Sequence, residues 1–217
     1  MSFLSYIFPQ EIYKGSSRFS SDIRVVEDAG SLRLLVNGIE QSGKYIDKIL
    51  KRACDACRFS SSAPVNKMLL LGVGGGSLIR FFWKLHPGIR IDAVDIDPVI
   101  VEVSKKYFKL GDIGGLTFYI SDAQRFIQKE AKDTQSTYGL IVVDLYIGRD
   151  IPDFVWKRSF MEEIRSLLVK NGSVFINVVH DGVYEEQVYT LRRILKDLFP
   201  KVQEIVVDYN TFFLATA

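Results

Sequence analysis

The chain has 217 residues, 47% of them hydrophobic and 25% charged, with a formal net charge of +2. This composition argues for one folded domain with a sizeable core and at most a small appendage, and against disorder. Acidic and basic residues interleave, so nothing in the charge demands a nucleic-acid partner and none is expected, and no apolar run reaches the ~20 residues of a membrane helix.

In chain order, residues 1–9 are apolar but lack the basic start and small-residue cleavage site of a signal peptide, so a cytoplasmic location is expected. Residues 21–27 alternate apolar and polar, Asp28-Ala-Gly30 marks a turn, and residues 31–36 run apolar to a second turn at Asn37-Gly38. This N-terminal region, residues 1–62, reads as a β-hairpin followed by a helix over 45–59. The helix holds the two cysteines, Cys54 and Cys57, spaced C-x-x-C. His86 and His180 are the only histidines and lie far off in sequence, so a zinc site lacks partners and two small helix residues are the expected reading. Residues 60–64 form a Ser/Ala/Pro linker.

From there, over residues 63–217, strands alternate with helices. Strands are predicted at 67–73, 90–94, 116–120, 139–144 and 173–179, and helices at 77–86, 98–108, 123–132, 154–170 and 184–199. Asn171-Gly172 is expected to stop the fourth of these helices. Two last strands, 202–208 and 211–217, are joined so tightly that they must be antiparallel. The rhythm predicts an α/β fold with a doubly wound, mostly parallel sheet.

In such sheets ligands bind beyond the carboxyl ends of the strands. After the first strand comes Gly72-Val-Gly74-Gly75-Gly76-Ser77, a bare-backbone turn leading into a helix N-terminus. Its G-x-G-x-G pattern resembles the first motif of S-adenosylmethionine-dependent enzymes; a dinucleotide fingerprint would need glycine where Ser77 stands. Asp95 follows Gly74 by 21 positions, close to the roughly 20 expected of a carboxylate that accepts from ribose hydroxyls. Ile96 is placed to pack on an adenine ring. Asp97 precedes Pro98 and reads as a helix N-cap. Asp122, followed by Ala123, reads either as an acceptor for the adenine amine or as an N-cap. Asp144 ends the fourth strand and Tyr146 follows it, where a second substrate would meet the reactive carbon, with Asp150 behind them. A buried strand that ends in a carboxylate calls for a reason, because an unpaired charge there is costly. His180, after the fifth strand, is a further general-base candidate.

Together these residues resemble the spermidine synthase-like family, the aminopropyltransferases and their relatives on the class I S-adenosylmethionine-dependent methyltransferase fold. Residues 68–76 resemble its glycine motif, Val94-Asp-Ile-Asp-Pro98 its V-E-I-D-P segment, Asp122-Ala-Gln-Arg-Phe126 its adenine-side motif, and residues 35–42 its L-D-G-x-x-Q segment. The resemblance implies a seven-stranded Rossmann-like sheet, S-adenosylmethionine or its decarboxylated form held by Gly72, Gly74, Gly75, Gly76, Asp95, Ile96, Asp122 and Ala123, and catalysis at Asp144 and Tyr146 without a metal. It also implies a small-molecule substrate and a homodimer built on the N-terminal hairpin. Three departures stand out. Ser77 replaces the aspartate that follows the family's glycines. The D-x-S/T-D-P loop reads Asp144-Leu-Tyr-Ile-Gly148, without the second aspartate. The acidic segment after the family's glutamine is shortened to residues 43–47. A doubly cationic diamine needs carboxylates at both ends and a base. The leading expectation is therefore methyl transfer to an unidentified acceptor. Aminopropyl transfer in polyamine biosynthesis is the alternative, and a non-catalytic nucleoside-binding module the third reading.

Overall fold

The computed structural model describes residues 6–59, 65–132, 138–148, 150–179 and 182–217. The predicted linker at 60–64 and His180 lie outside them. The N-terminal region holds more than the expected hairpin. Strands β1 (Gln10–Gly15), β2 (Ile23–Asp28), β3 (Ser31–Val36) and β4 (Ile39–Ser42) form a four-stranded antiparallel sheet in that order. β1 is polar and β4 only four residues long, so neither carries a period-2 apolar signal of its own. Both are held by pairing with the apolar central strands, Glu11 opposite Val26 and Val36 opposite Ile39. Helix α1 (Lys44–Ala56) follows and buries Ile49, Leu50, Ala53 and Cys54.

The rest builds a seven-stranded sheet: β5 (Lys67–Leu71), β6 (Arg90–Asp95), β7 (Leu116–Ile120), β8 (Tyr138–Val143), β9 (Leu168–Val179), β10 (Lys201–Val207) and β11 (Asn210–Thr216). The spatial order is β10-β11-β9-β8-β5-β6-β7; β5 to β9 are parallel, and β11 runs antiparallel between β9 and β10. β5 has β6 on one side and β8 on the other, so the winding reverses there, and the switch point lies at the carboxyl ends of β5 and β8.

The strand pleat sorts the core into two layers. Met68 and Leu70 point to one face, with Ile91, Ala93, Leu140, Val142, Phe175 and Phe212. That face packs α1, α2 (Ser77–Leu85) and α3 (Pro98–Tyr107). Leu69 and Leu71 point to the other, with Ile141, Val143, Val174 and Ile176, against α4 (Ala123–Glu130), α5 (Arg158–Ser166) and α6 (Glu185–Leu198). Burial on both faces explains why these strands read as unbroken apolar runs.

One predicted boundary is wrong. The helix expected over 154–170 divides into a short 3-10 turn, Asp153–Trp156, and α5, which ends at Ser166. Leu168 pairs beside Tyr138, and the ladder shifts register before it resumes at Leu140 and Ser173. Asn171, at φ 62°, and Gly172 therefore sit in a bulge of β9 rather than at a helix stop. Gly172 is required there: a Cβ would stand 2.9 Å from the Val169 carbonyl oxygen and 3.1 Å from that of Tyr138.

Candidate functional site

The switch point opens into a cleft of about 1110 Å³, open solvent included, roofed by the N-terminal sheet. Gly72, Gly74, Gly76, Asp95, Ile96, Asp122, Ala123, Asp144 and Tyr146 all line it. Gly75 does not; its bare Cα faces Ser42 and Phe108. Phe19, Leu34, Val36 and Gln41 supply the roof, and the Gln41 side-chain amide donates to the Gly148 carbonyl at 3.4 Å.

The glycine loop is fixed from several sides. Gly72, at φ 94°, passes so close to β8 that a Cβ would lie 2.0 Å from the Asp144 carbonyl oxygen. The Ser104 hydroxyl of α3 donates to the Gly74 carbonyl, and the Arg80 guanidinium donates to the Gly75 carbonyl at 2.7 Å. Asp95 closes the loop: one carboxylate oxygen accepts from the Val73 N–H and the other from the Asp97 N–H, both at 2.9 Å. Burial pushes its pKa up to about 6, against the lowering effect of these N–H donors. A carboxylate has about four acceptor positions, so a diol can still be received on the cleft side.

Asp97 caps α3 through the Val99 N–H at 2.9 Å and also accepts from the Ser17 hydroxyl, which ties the chain before β2 to the large sheet. Asp122 caps α4 through the Arg125 N–H at 2.9 Å, so the N-cap reading is met while the residue still borders the cleft.

Across the switch point, Asp144 is held differently. The Asn177 side-chain amide donates to it at 2.9 Å, and the Asn177 carbonyl oxygen in turn accepts from the Asn210 amide at 2.8 Å. Burial raises the Asp144 pKa to about 6, and the Asn177 donor opposes the rise. The Tyr146 hydroxyl donates to the Asn177 backbone carbonyl at 3.4 Å. Asp150 is exposed, accepts from the Tyr184 hydroxyl at 3.3 Å, and does not line the cleft.

Sequence reasoning missed Asn177 and Asn210. The one available signal was a lone asparagine inside the apolar run of β9, where a buried amide requires partners. Cys54 and Cys57 are buried and free; burial pushes the Cys57 thiol up to about 12 and raises Cys54 as well, so neither is a thiolate at neutral pH.

The model of the spermine/spermidine synthase domain matches residues 57–215. A polyamine aminopropyltransferase of Vibrio vulnificus is 27% identical over 134 residues, 61% of this chain and 44% of that protein. A mouse eEF1A lysine and N-terminal methyltransferase is 31% identical over 119 residues, 52% of this chain and 17% of that protein. The chain thus spans less than half the length of both. Among solved structures, human methyltransferase-like protein 13 in complex with SAH superposes with a TM-score of 0.65 at 25% identity, over 76% of this chain and 80% of that one.

Proposed function

From the premise that this chain belongs to the spermine/spermidine synthase domain family, we propose that it is an S-adenosylmethionine-dependent transferase that moves a methyl group. The observation that carries this reading is Asp95, locked onto the glycine loop by two backbone N–H donors at the topological switch point. The residues fit an adenosyl group. Gly72, Gly74 and Gly76 leave bare backbone for the methionine portion, Asp95 receives the ribose diol, Ile96 and Ala123 flank the adenine, and Asp122 accepts from its amine. Bound there, S-adenosylmethionine supplies a carbon already activated by sulfonium charge, so the protein's part is positioning and charge placement. Asp144 and Tyr146 border the acceptor. The resemblance to a methyltransferase structure in complex with SAH supports this reading.

Aminopropyl transfer is the second reading, favoured by the Vibrio relative's activity. Two observations weigh against it. Asp144 is the one carboxylate on the acceptor side of the cleft among the described residues, and Asp150 is turned away onto Tyr184. Calorimetric titration with S-adenosylmethionine, its decarboxylated form and methylthioadenosine separates the readings. The carboxylated ligand should bind best, and Asp95→Asn should weaken it by about 30-fold, the worth of roughly 2 kcal/mol in hydrogen bonds to a charged group. Preferential binding of the decarboxylated form would replace methyl transfer with aminopropyl transfer.

A further inference from the structure

We infer that Ser17 is a positioning residue for the adenosyl ligand: its hydroxyl latches the turn between β1 and β2 onto Asp97 and so holds the roof closed over the end of β6. This rests on the adenosyl reading, which assigns that end to the ribose.

The first part of the argument is the hydroxyl itself. A serine hydroxyl has one donor and two acceptor positions. At Ser17 all three are in use. It donates to Asp97, and it accepts from the Phe19 N–H at 3.0 Å and the Ser20 N–H at 3.1 Å. The Ser17 N–H donates to the Ser20 carbonyl at 2.8 Å, which closes the turn. Asp97 is buried and lies 80 positions away in the chain. One oxygen thus shapes the turn and ties it to the large sheet, through a bond to a carboxylate that is stronger than one between neutral groups.

The second part is what the turn carries. Phe19 and Ser20 line the cleft, as do Asp95, Ile96 and Asp97. The exposed Arg18 sets its guanidinium 4.5 Å over the Phe19 ring, which limits the freedom of that ring. The Asp97 N–H is held by the same Asp95 carboxylate that closes the glycine loop. The turn therefore meets the large sheet two residues past the proposed ribose acceptor.

The third part is the support. β1 is a polar edge strand with no fully buried residue, so its pairing with β2 does not by itself seat the turn on the large sheet. It leans on α3 at both ends. Tyr13 packs on Tyr107 with ring centroids 5.5 Å apart, and Ser17 holds the cap, Asp97. The same helix steadies the glycine loop through Ser104. A ligand under the turn leaves when the turn lifts, and lifting it breaks the Ser17–Asp97 bond. Ser17 thus acts on release more than on association.

The test is surface plasmon resonance with SAH over the immobilised full chain. Ser17→Ala should speed SAH dissociation about tenfold and leave association within about twofold of the unaltered chain. Ser17→Thr keeps the hydroxyl and should restore slow release. A merely structural role would lower the fraction of chain that binds, without changing the rate at which SAH leaves a folded molecule. In the ligand-free chain, the Phe19 and Ser20 amides should exchange about tenfold faster in Ser17→Ala, since their N–H groups lose their acceptor. Unchanged dissociation in Ser17→Ala, fast dissociation in Ser17→Thr, or unchanged amide exchange overturns the inference while SAH binding keeps the adenosyl reading alive. Failure of the unaltered chain to bind SAH is a different result: it sinks the adenosyl reading, and the latch with it.

Discussion

The two halves of the cleft hold their carboxylates by different means. Asp95 is fixed by N–H groups of Val73 and Asp97, one from the neighbouring loop and one two residues on. Asp144 is fixed by Asn177 and, behind it, Asn210, side chains 33 and 66 positions away in the chain. The β6 half is therefore a backbone arrangement whose geometry comes with the βαβ unit. The β8 half is a side-chain arrangement that forms only when β8, β9 and β11 lie side by side. The first tolerates little change at Gly72, where a Cβ would stand 2.0 Å from the Asp144 carbonyl oxygen.

The largest expected effect lies where the halves touch. Gly72→Ala puts a methyl group 2.0 Å from the Asp144 carbonyl at φ 94°. A loss of about 3–5 kcal/mol is expected in urea unfolding, together with loss of nucleoside binding. A variant of normal stability that still binds would show that the halves are less tightly joined than the structure indicates.

Asp144→Asn sharpens the contrast on the β8 side. The folded-state pKa of about 6 lies above the ordinary carboxylate value of 3.8. The folded protein thus holds this proton more tightly than the unfolded chain. Stability contributed by the protonated form is full below about pH 4 and is lost as pH rises to 6; above that the ionised group is a constant penalty. Asparagine keeps the Asn177 bond without the charge. The variant should melt about 3–6 °C higher at pH 7.5 and no higher at pH 4. An unchanged melting temperature at both pH values would mean that Asp144 is not desolvated.

The smallest effect is at the far end of the relay. Asn210→Ala frees the Asn177 amide to rotate and removes part of its donation to Asp144. The Asp144 titration, followed by carboxyl-carbon NMR, should move up by about half a unit while Asp95 stays put. Movement of both together would show one coupled site rather than two.

Much of the β6 half of the cleft was legible because its determinants are local. The 21-residue interval from Gly74 to Asp95 is the length of one helix and one strand, and Asp97-Pro98 carries its cap in adjacent residues. β1 and β4 were not legible, since neither has an apolar pattern and each owes its form to the strand beside it. The end of α5 was misplaced for a similar reason. Asn171-Gly172 has the chemistry of a helix stop, but pairing of Leu168 with β8 took three residues from the helix first.

What the sequence determined was the alternation of strands and helices, the doubly wound sheet and the position of the glycine turn, because hydrophobic period and backbone permissiveness are written in neighbouring residues. What the tertiary structure decided was the strand order, the four-stranded roof, and the pairing of Asp144 with Asn177 and Asn210. Those depend on which distant strands become neighbours, and no local pattern encodes that.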